Sequence, residues 1–199
     1  MKYVNQLKYP HMLYVTRTDM EDAEQRERGK TTTIRSSGCG LCTAIMVADR
    51  LIPNCTFDLT DAIELSYETK ANFKVGTRYS RFAPAFAEKM GFRYESSREL
   101  EDVRKCLRTG GAVVALVDGN YDGRVGLFTY GGHYITIIGE EADGRFAILD
   151  PSYKPGKFNE EGRVGKVEVR EDEIVLCEGA ILEEEASRDA APYYLFWRK

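Results

Sequence analysis

The 199-residue sequence holds two histidines and one tryptophan. It has no apolar run near the roughly 20 residues that a membrane helix requires. Its first twenty residues, which include Tyr9, Pro10, His11, Arg17 and Asp19, lack the hydrophobic segment of a secretory signal. Met1 as the natural start implies a cytoplasmic protein, and a leader removed beforehand would imply an extracellular one. The 28 basic and 32 acidic side chains give a formal charge of −4 and are spread along the chain, with no patch suited to nucleic acid. Lys154, Lys157, Arg163 and Lys166, scattered among glycines and acids, read as a solvated rim. Five cysteines at irregular spacing, in a chain long enough to build a core, argue against a disulfide framework. No second Cys-x-x-Cys and no paired histidines are present to close a structural zinc site, so neither metal nor cofactor is expected.

What is present suits one domain spanning 1–199, with 43% apolar and 30% charged residues. "DMEDAEQRERGKTTT" is almost devoid of apolar side chains and reads as a polar surface insertion at about 17–35. Before it, "KYVNQLKYP" reads as extended. From Gly40 to about Leu51, Leu41, Ile45, Ala48 and Ile52 repeat at helical spacing. Ala44, Met46 and Val47 make that helix apolar nearly all round, which places it in the middle of the domain. Pro53 and Asn54 stop it. Further helices are predicted over Leu59–Thr69, over "YSRFAPAFAEKMGF" with Ser80 as N-cap and Gly91 as stop, and over "SSRELEDVRKCLRTGG". In the last, Ser96 and Glu99 have capping-box spacing. Then the period changes. "GAVVALVDG", "HYITIIGE" and "GRFAILD" read as strands, the last two joined by the "EADG" turn, and "GKVEVR", "IVLC" and "YYLFW" are further candidates. Helices first and a mostly antiparallel sheet afterwards predict an α+β fold.

The chemistry starts from "RSSGCGLCTAIMVADRL". Cys39 stands where a loop becomes the buried helix, and the unpaired N–H groups at that end favour a thiolate. Gly38 and Gly40 allow a sharp entry and the approach of a substrate backbone. Cys42, one turn further in, faces the core. A redox pair would need a strand immediately before Cys39 and a βαβ unit around it; "GKTTTIRSS" supplies neither. Of the two histidines, His11 reads as a surface residue. His133 opens a strand, where it is either a residue satisfied by a nearby carbonyl or a base. If the strands after His133 and before Asp150 pair through the "EADG" turn, both residues fall at the open end of one hairpin. There a carboxylate would fix the tautomer of the imidazole and steady its charged form. Alternatively, Asp150 is a turn residue before Pro151. Gly131 and Gly132, between Tyr130 and Tyr134, suggest a narrow glycine-lined cleft with an aromatic rim. An oxyanion hole would draw on the Cys39 N–H and a neutral donor, for which Gln6, Gln25 and Asn5 are the candidates.

These blocks together resemble the papain-like double-glycine peptidase superfamily. "SSGCGLCTAIMVADRL" is similar to its nucleophile helix, and "GGHYITIIGEEADGRFAILDPS" to its histidine and aspartate strands. "GTRYSRFAPAFAEKMGFRYE" with "GGAVVALVDG" is similar to the stretch between them, and "NQLKYP" to its upstream glutamine segment. Leu41 stands where the family usually has proline, and Cys42 where it has a small residue. The resemblance implies a papain-like fold whose nucleophile helix packs on a mostly antiparallel sheet. It implies Cys39 as nucleophile, His133 as base, Asp150 as orienter and Gln6 as oxyanion donor, acting on a peptide or protein substrate. The relatives that process bacteriocin leaders are fused to a membrane transporter; a free-standing relative is the nearer comparison. Two other functions remain open from the residues alone: a non-catalytic peptide-binding or structural module, and a thiol–disulfide oxidoreductase.

Overall fold

The computed structural model describes residues 1–16, 32–73, 76–186, 188 and 190–199. Most of the segment expected as an insertion, and Gln25 within it, lies outside those residues. Its two ends meet: Leu13 bridges Thr33 in antiparallel fashion, and the Tyr14 N–H donates to the Thr32 carbonyl at 3.1 Å. The last residues of the expected insertion belong to a short helix, α1 (Ile34–Ser37).

Four helices gather on one side of a sheet: α1, α2 (Cys39–Leu51), α3 (Leu59–Glu68) and α4 (Tyr79–Met90). The sheet has seven strands: β3 (Phe92–Ser97), β4 (Ala112–Val117), β5 (His133–Glu140), β6 (Phe146–Leu149), β7 (Val167–Val169), β8 (Val175–Cys177) and β9 (Tyr193–Arg198). They lie in the order β3-β9-β4-β5-β6-β8-β7, and every pairing is antiparallel. A separate ribbon is formed by β1 (Asn72–Phe73) and β2 (Gly76–Thr77).

Ten of the thirteen residues of α2 are buried, as its all-round apolar sequence requires. Leu41, Ile45 and Met46 pack with Val114, Tyr134, Leu149 and Phe196 of the sheet. Each such buried side chain contributes about 1.5–3 kcal/mol. The opposite face of the sheet is covered by α5 (Leu100–Arg108) and α6 (Gly179–Glu185), through Leu100, Val103, Cys106 and Leu182. α2 therefore lies between other helices and the sheet, and its first residue, Cys39, emerges at the edge of that sandwich.

Several local expectations differ from the structure. The N-terminal stretch is not extended throughout: Gln6–Lys8 form a 3₁₀ turn, capped by the Asn5 side chain accepting from the Leu7 N–H at 2.9 Å. Ser80 lies inside α4, whose N-cap is Arg78, while Gly91 ends it in the left-handed conformation at φ 69°. Ser96 is a strand residue. The N-cap of α5 is Glu99, with no side-chain cap; Ser97 accepts from the Glu99 N–H at 3.0 Å and donates to Asp102 at 2.8 Å. β3 and α6 were not expected. "FRYESS" alternates apolar and polar only over residues 92–95, a short signal, and its full length is held extended by its pairing along β9.

Candidate active site

Cys39 is half-buried at the first position of α2. The chain enters almost without a break from α1: the Gly38 N–H donates to Ile34 O at 2.8 Å, and the Cys42 N–H donates to Gly38 O at 2.9 Å. A Cβ on Gly38 would stand 2.6 Å from the Ile34 carbonyl oxygen, so two helices can abut there only through glycine. Gly40 has a different reason. It is buried, and a Cβ would press on Thr77 at 3.0 Å and on the Tyr134 ring at 3.3 Å. Its expected use in giving room to a substrate is replaced by close packing of α2 on β2 and β5.

His133 begins β5 opposite Val117 of β4, and it is buried. Its Nε2 lies 2.8 Å from Asp150 Oδ1 and 3.1 Å from Ser152 Oγ. The imidazole is also hydrogen-bonded to Cys39. Asp150 and Ser152 engage Nε2, which leaves Nδ1 as the ring nitrogen available to Cys39. Burial lowers the basicity of His133, but its bonds to Asp150 and Cys39 outweigh that and push its pKa up to about 9. Burial likewise works against a Cys39 thiolate. The hydrogen bond and charge of His133, helped by the backbone of Tyr134 and Gly40, nonetheless hold the thiol below its ordinary value.

Asp150 follows β6 and is fully buried. Its Oδ1 also accepts from the Ser152 N–H at 2.8 Å, and its Oδ2 from Lys157 Nζ at 2.5 Å. Lys157 Nζ further donates to Ser152 Oγ at 2.7 Å. Burial opposes the charge of Asp150; Lys157 and His133 overcome this and hold the carboxyl well below the usual range. Lys157 thus does not belong to a solvated rim. It is 5% exposed, and Arg163, 2% exposed, donates to Gly126 O at 2.8 Å and pairs with Glu160 at 3.0 Å. Lys154 is exposed as expected. The reason is the loop after Asp150, which turns at Gly156 (φ 81°) and tucks Phe158 against Tyr153, carrying Lys157 inward with it.

Gln6 reaches the same place from the N-terminus. Its N–H donates to Pro151 O at 2.7 Å, while Tyr3 Oη donates to Asp150 O at 2.6 Å and Asn5 Nδ2 to Tyr153 O at 2.7 Å. Gln6 Nε2 spends one N–H on Arg35 O at 2.8 Å, which leaves the other. Asn5 is occupied in capping and anchoring. His11 is exposed.

A cavity of about 530 Å³ is lined by Cys39, His133, Gln6, Ser152, Gly131 and Gly132, with Phe73, Thr77 and Arg78 on the side of the β1–β2 ribbon. Nothing lies within 4 Å of where a Cβ would stand on Gly131 or Gly132. Of the two rim tyrosines expected, Tyr130 is 61% exposed, hydrogen-bonded to Glu160 and covered by the Arg163 guanidinium. Tyr134 is buried in a ring cluster with Tyr79 and Tyr194, so it belongs to the core as much as to the cavity wall. The residues that sequence reasoning missed are Ser152, Lys157 and Arg78. The glycine and aromatic flanks of Lys157 mark a turn, but nothing local says that the turn folds inward.

Among the described residues no cluster of three His, Cys, Asp or Glu side chains could hold a metal ion. No helix among them is long and apolar enough to cross a membrane. All five cysteines are free, and burial pushes the Cys42 thiol far up.

No family model matches the chain, and no curated protein sequence does. Among solved structures, one described as a C39-like peptidase from Bacillus anthracis superposes with a TM-score of 0.54 at 12% identity, covering 81% of this chain and 89% of that one. At that identity the likeness concerns the fold. The architecture is α+β, with a helical region packed on an antiparallel sheet, and this is the fold that the two structures share.

Proposed function

We propose that the protein is a thiol-dependent hydrolase that cleaves a peptide or related amide bond through Cys39, His133 and Asp150. One observation carries this reading: a single buried imidazole, bonded through Nε2 to a buried carboxylate, shares a cavity wall with a helix-terminal thiol whose pKa it lowers. In the resting pair the proton sits on His133 and the charge on Cys39. The thiolate attacks the substrate carbonyl, and the developing oxyanion meets the Cys39 N–H and the remaining N–H of Gln6 Nε2. The His133 proton passes to the amine as the carbon–nitrogen bond breaks, leaving a thioester. Water, deprotonated by His133, then attacks the thioester, the carbon–sulfur bond breaks to release the acid, and the thiolate of Cys39 and the protonated His133 are restored. Gly131 and Gly132 give an extended substrate backbone room beside the base.

The test is alkylation of Cys39 by iodoacetamide against pH, read by mass spectrometry on wild type and on His133→Ala. Wild-type labelling should rise with a midpoint below the free-thiol value of about 8.5, because His133 stabilises the thiolate. His133→Ala should move the midpoint upward. A wild-type midpoint at or above the free value would overturn the proposal and favour a module that binds without catalysing. Turnover, unlike labelling, should fall again near pH 9, because the leaving amine needs the proton that His133 loses there.

Cys42 separates this reading from a redox one. Cys42→Ala exchanges one small buried group for another, so turnover should stay within a few-fold of wild type. A thiol–disulfide oxidoreductase would lose nearly everything.

A further inference from the structure

We propose that the cleft contains a carboxylate-recognising subsite built on Arg78, so that the substrate carries an acidic group beside the bond attacked by Cys39. This deepens the reading of Cys39 as nucleophile and rests on it.

Arg78 and Cys39 line the same cavity. Apart from the Cys39–His133 pair, Arg78 is the one charged side chain among the described residues of that lining, whose other polar members are neutral: Gln6, Ser36, Ser37, Thr77, Thr129 and Ser152. Its position is fixed from two sides. The Arg78 N–H donates to Ala71 O at 2.7 Å, and the preceding Thr77 packs where a Cβ on Gly40 would stand, one residue from Cys39. The guanidinium itself lies 3.7 Å from the centre of the Phe73 ring. That contact orients the plane without using its N–H groups, because a ring face offers attraction and no carboxylate. Among the described residues the Arg78 side chain has no hydrogen bond and no ion pair, although most other arginines described here have one. A planar fork with unused donors, half-buried in a cleft, fits a carboxylate through two parallel N–H···O bonds. Two groups on a peptide offer that chemistry, an Asp or Glu side chain and a free C-terminus.

The probe is a matched pair of alkylating reagents of nearly equal size, anionic iodoacetate and neutral iodoacetamide. Both form a carbon–sulfur bond at Cys39 as iodide leaves. Labelling is read at Cys39 by peptide mass spectrometry, in wild type, Arg78→Gln and Arg78→Lys. Arg78→Gln should lower the ratio of iodoacetate to iodoacetamide rates roughly tenfold, the effect of one nearby charge in a partly screened site. Arg78→Lys should fall between. Short peptides added as protectants then separate the two sources: one comparison sets Asp against Asn, the other a free against an amidated C-terminus. Whichever carboxylate protects Cys39 in wild type should lose that advantage in Arg78→Gln. A ratio unmoved by Arg78→Gln overturns the subsite. Slow labelling by both reagents, with the ratio still moved by Arg78→Gln, overturns the activated thiolate and leaves the subsite standing.

Discussion

Replacing Cys39 with serine is expected to lower peptide hydrolysis by a factor on the order of 10⁴–10⁶, which is what loss of a nucleophile costs in triad enzymes. Serine keeps the size of the side chain, and the position is only half-buried. Its hydroxyl, however, has no thiolate for His133 to stabilise. The fold should be unaffected, with a thermal midpoint within a few degrees of wild type. His133→Ala should cost a similar factor, since the thiol loses both its hydrogen-bond partner and the positive charge that lowers its pKa. The double variant should be no worse than either single one, because the two residues act as one unit. The measurement is mass-spectrometric detection of cleaved products from a peptide library, alongside thermal melts. A Cys39→Ser protein that still cleaves at the wild-type rate ends the proposed mechanism.

The second large effect concerns Asp150 and Lys157. In a site with an isolated orienting carboxylate, Asp150→Asn would be the mild substitution, since the amide oxygen still accepts from the imidazole. Here that change would strand the Lys157 ammonium, 5% exposed and in contact with Asp150, without a counter-charge. Lys157→Met would conversely leave Asp150 with His133 as its only cationic partner. Each single change should destabilise the protein by about 3–5 kcal/mol, the usual result of removing one half of a buried ion pair. Asp150→Asn combined with Lys157→Met leaves neither charge and should recover much of the loss, so the two effects will be far from additive. Urea denaturation of the four proteins measures this; additive losses would show that the pair is not coupled. Lys157→Met should also move the alkaline limb of turnover above the pH near 9 set by His133, because a cation close to the imidazolium has gone. Tyr3, whose hydroxyl binds the Asp150 carbonyl, and Cys39, bonded to the ring, remain in place as the other ionisable groups facing the pair.

The pH dependence of stability has a definite sign. His133 has a folded pKa of about 9, above its ordinary 6.5. Its contribution is therefore full below the unfolded value and disappears as pH rises through the folded one. Asp150 is depressed, so its contribution is present above the usual carboxylate range and is lost as pH falls below it.

Sequence alone determined the parts of this protein that depend on neighbours along the chain. The all-round apolar run from Leu41 to Leu51 can only be a central helix, and glycines flanking Cys39 allow a thiol to be placed at its start. The alternating and continuous apolar runs after residue 111 specify strands, so the α+β class follows from periodicity. β3 escaped because its alternation, Phe92 and Tyr94 against Arg93 and Glu95, is short and runs out in two serines, and pairing with β9 keeps all six residues extended. The gap from Gln6 to Cys39 is long in sequence and short in space, because the chain leaves near Tyr14 and returns at Thr32 before α1.

What only the tertiary structure decided is how the third charge and the histidine share a face. β5 and β6 pair as Glu140 with Phe146 and Gly139 with Ala147, then shift to Ile137 with Ile148 and Thr136 with Leu149. Without that bulge, alternation would place Asp150 on the face opposite His133, because a slip of one residue reverses every side chain. Gly139 within the strand marks a place where a bulge can form, but the direction of the shift depends on packing across the sheet. The burial of Lys157 was hidden for the same kind of reason. A lysine reads as solvated until a loop carries it against a carboxylate that is itself buried, and that meeting of charges exists only once the chain has folded.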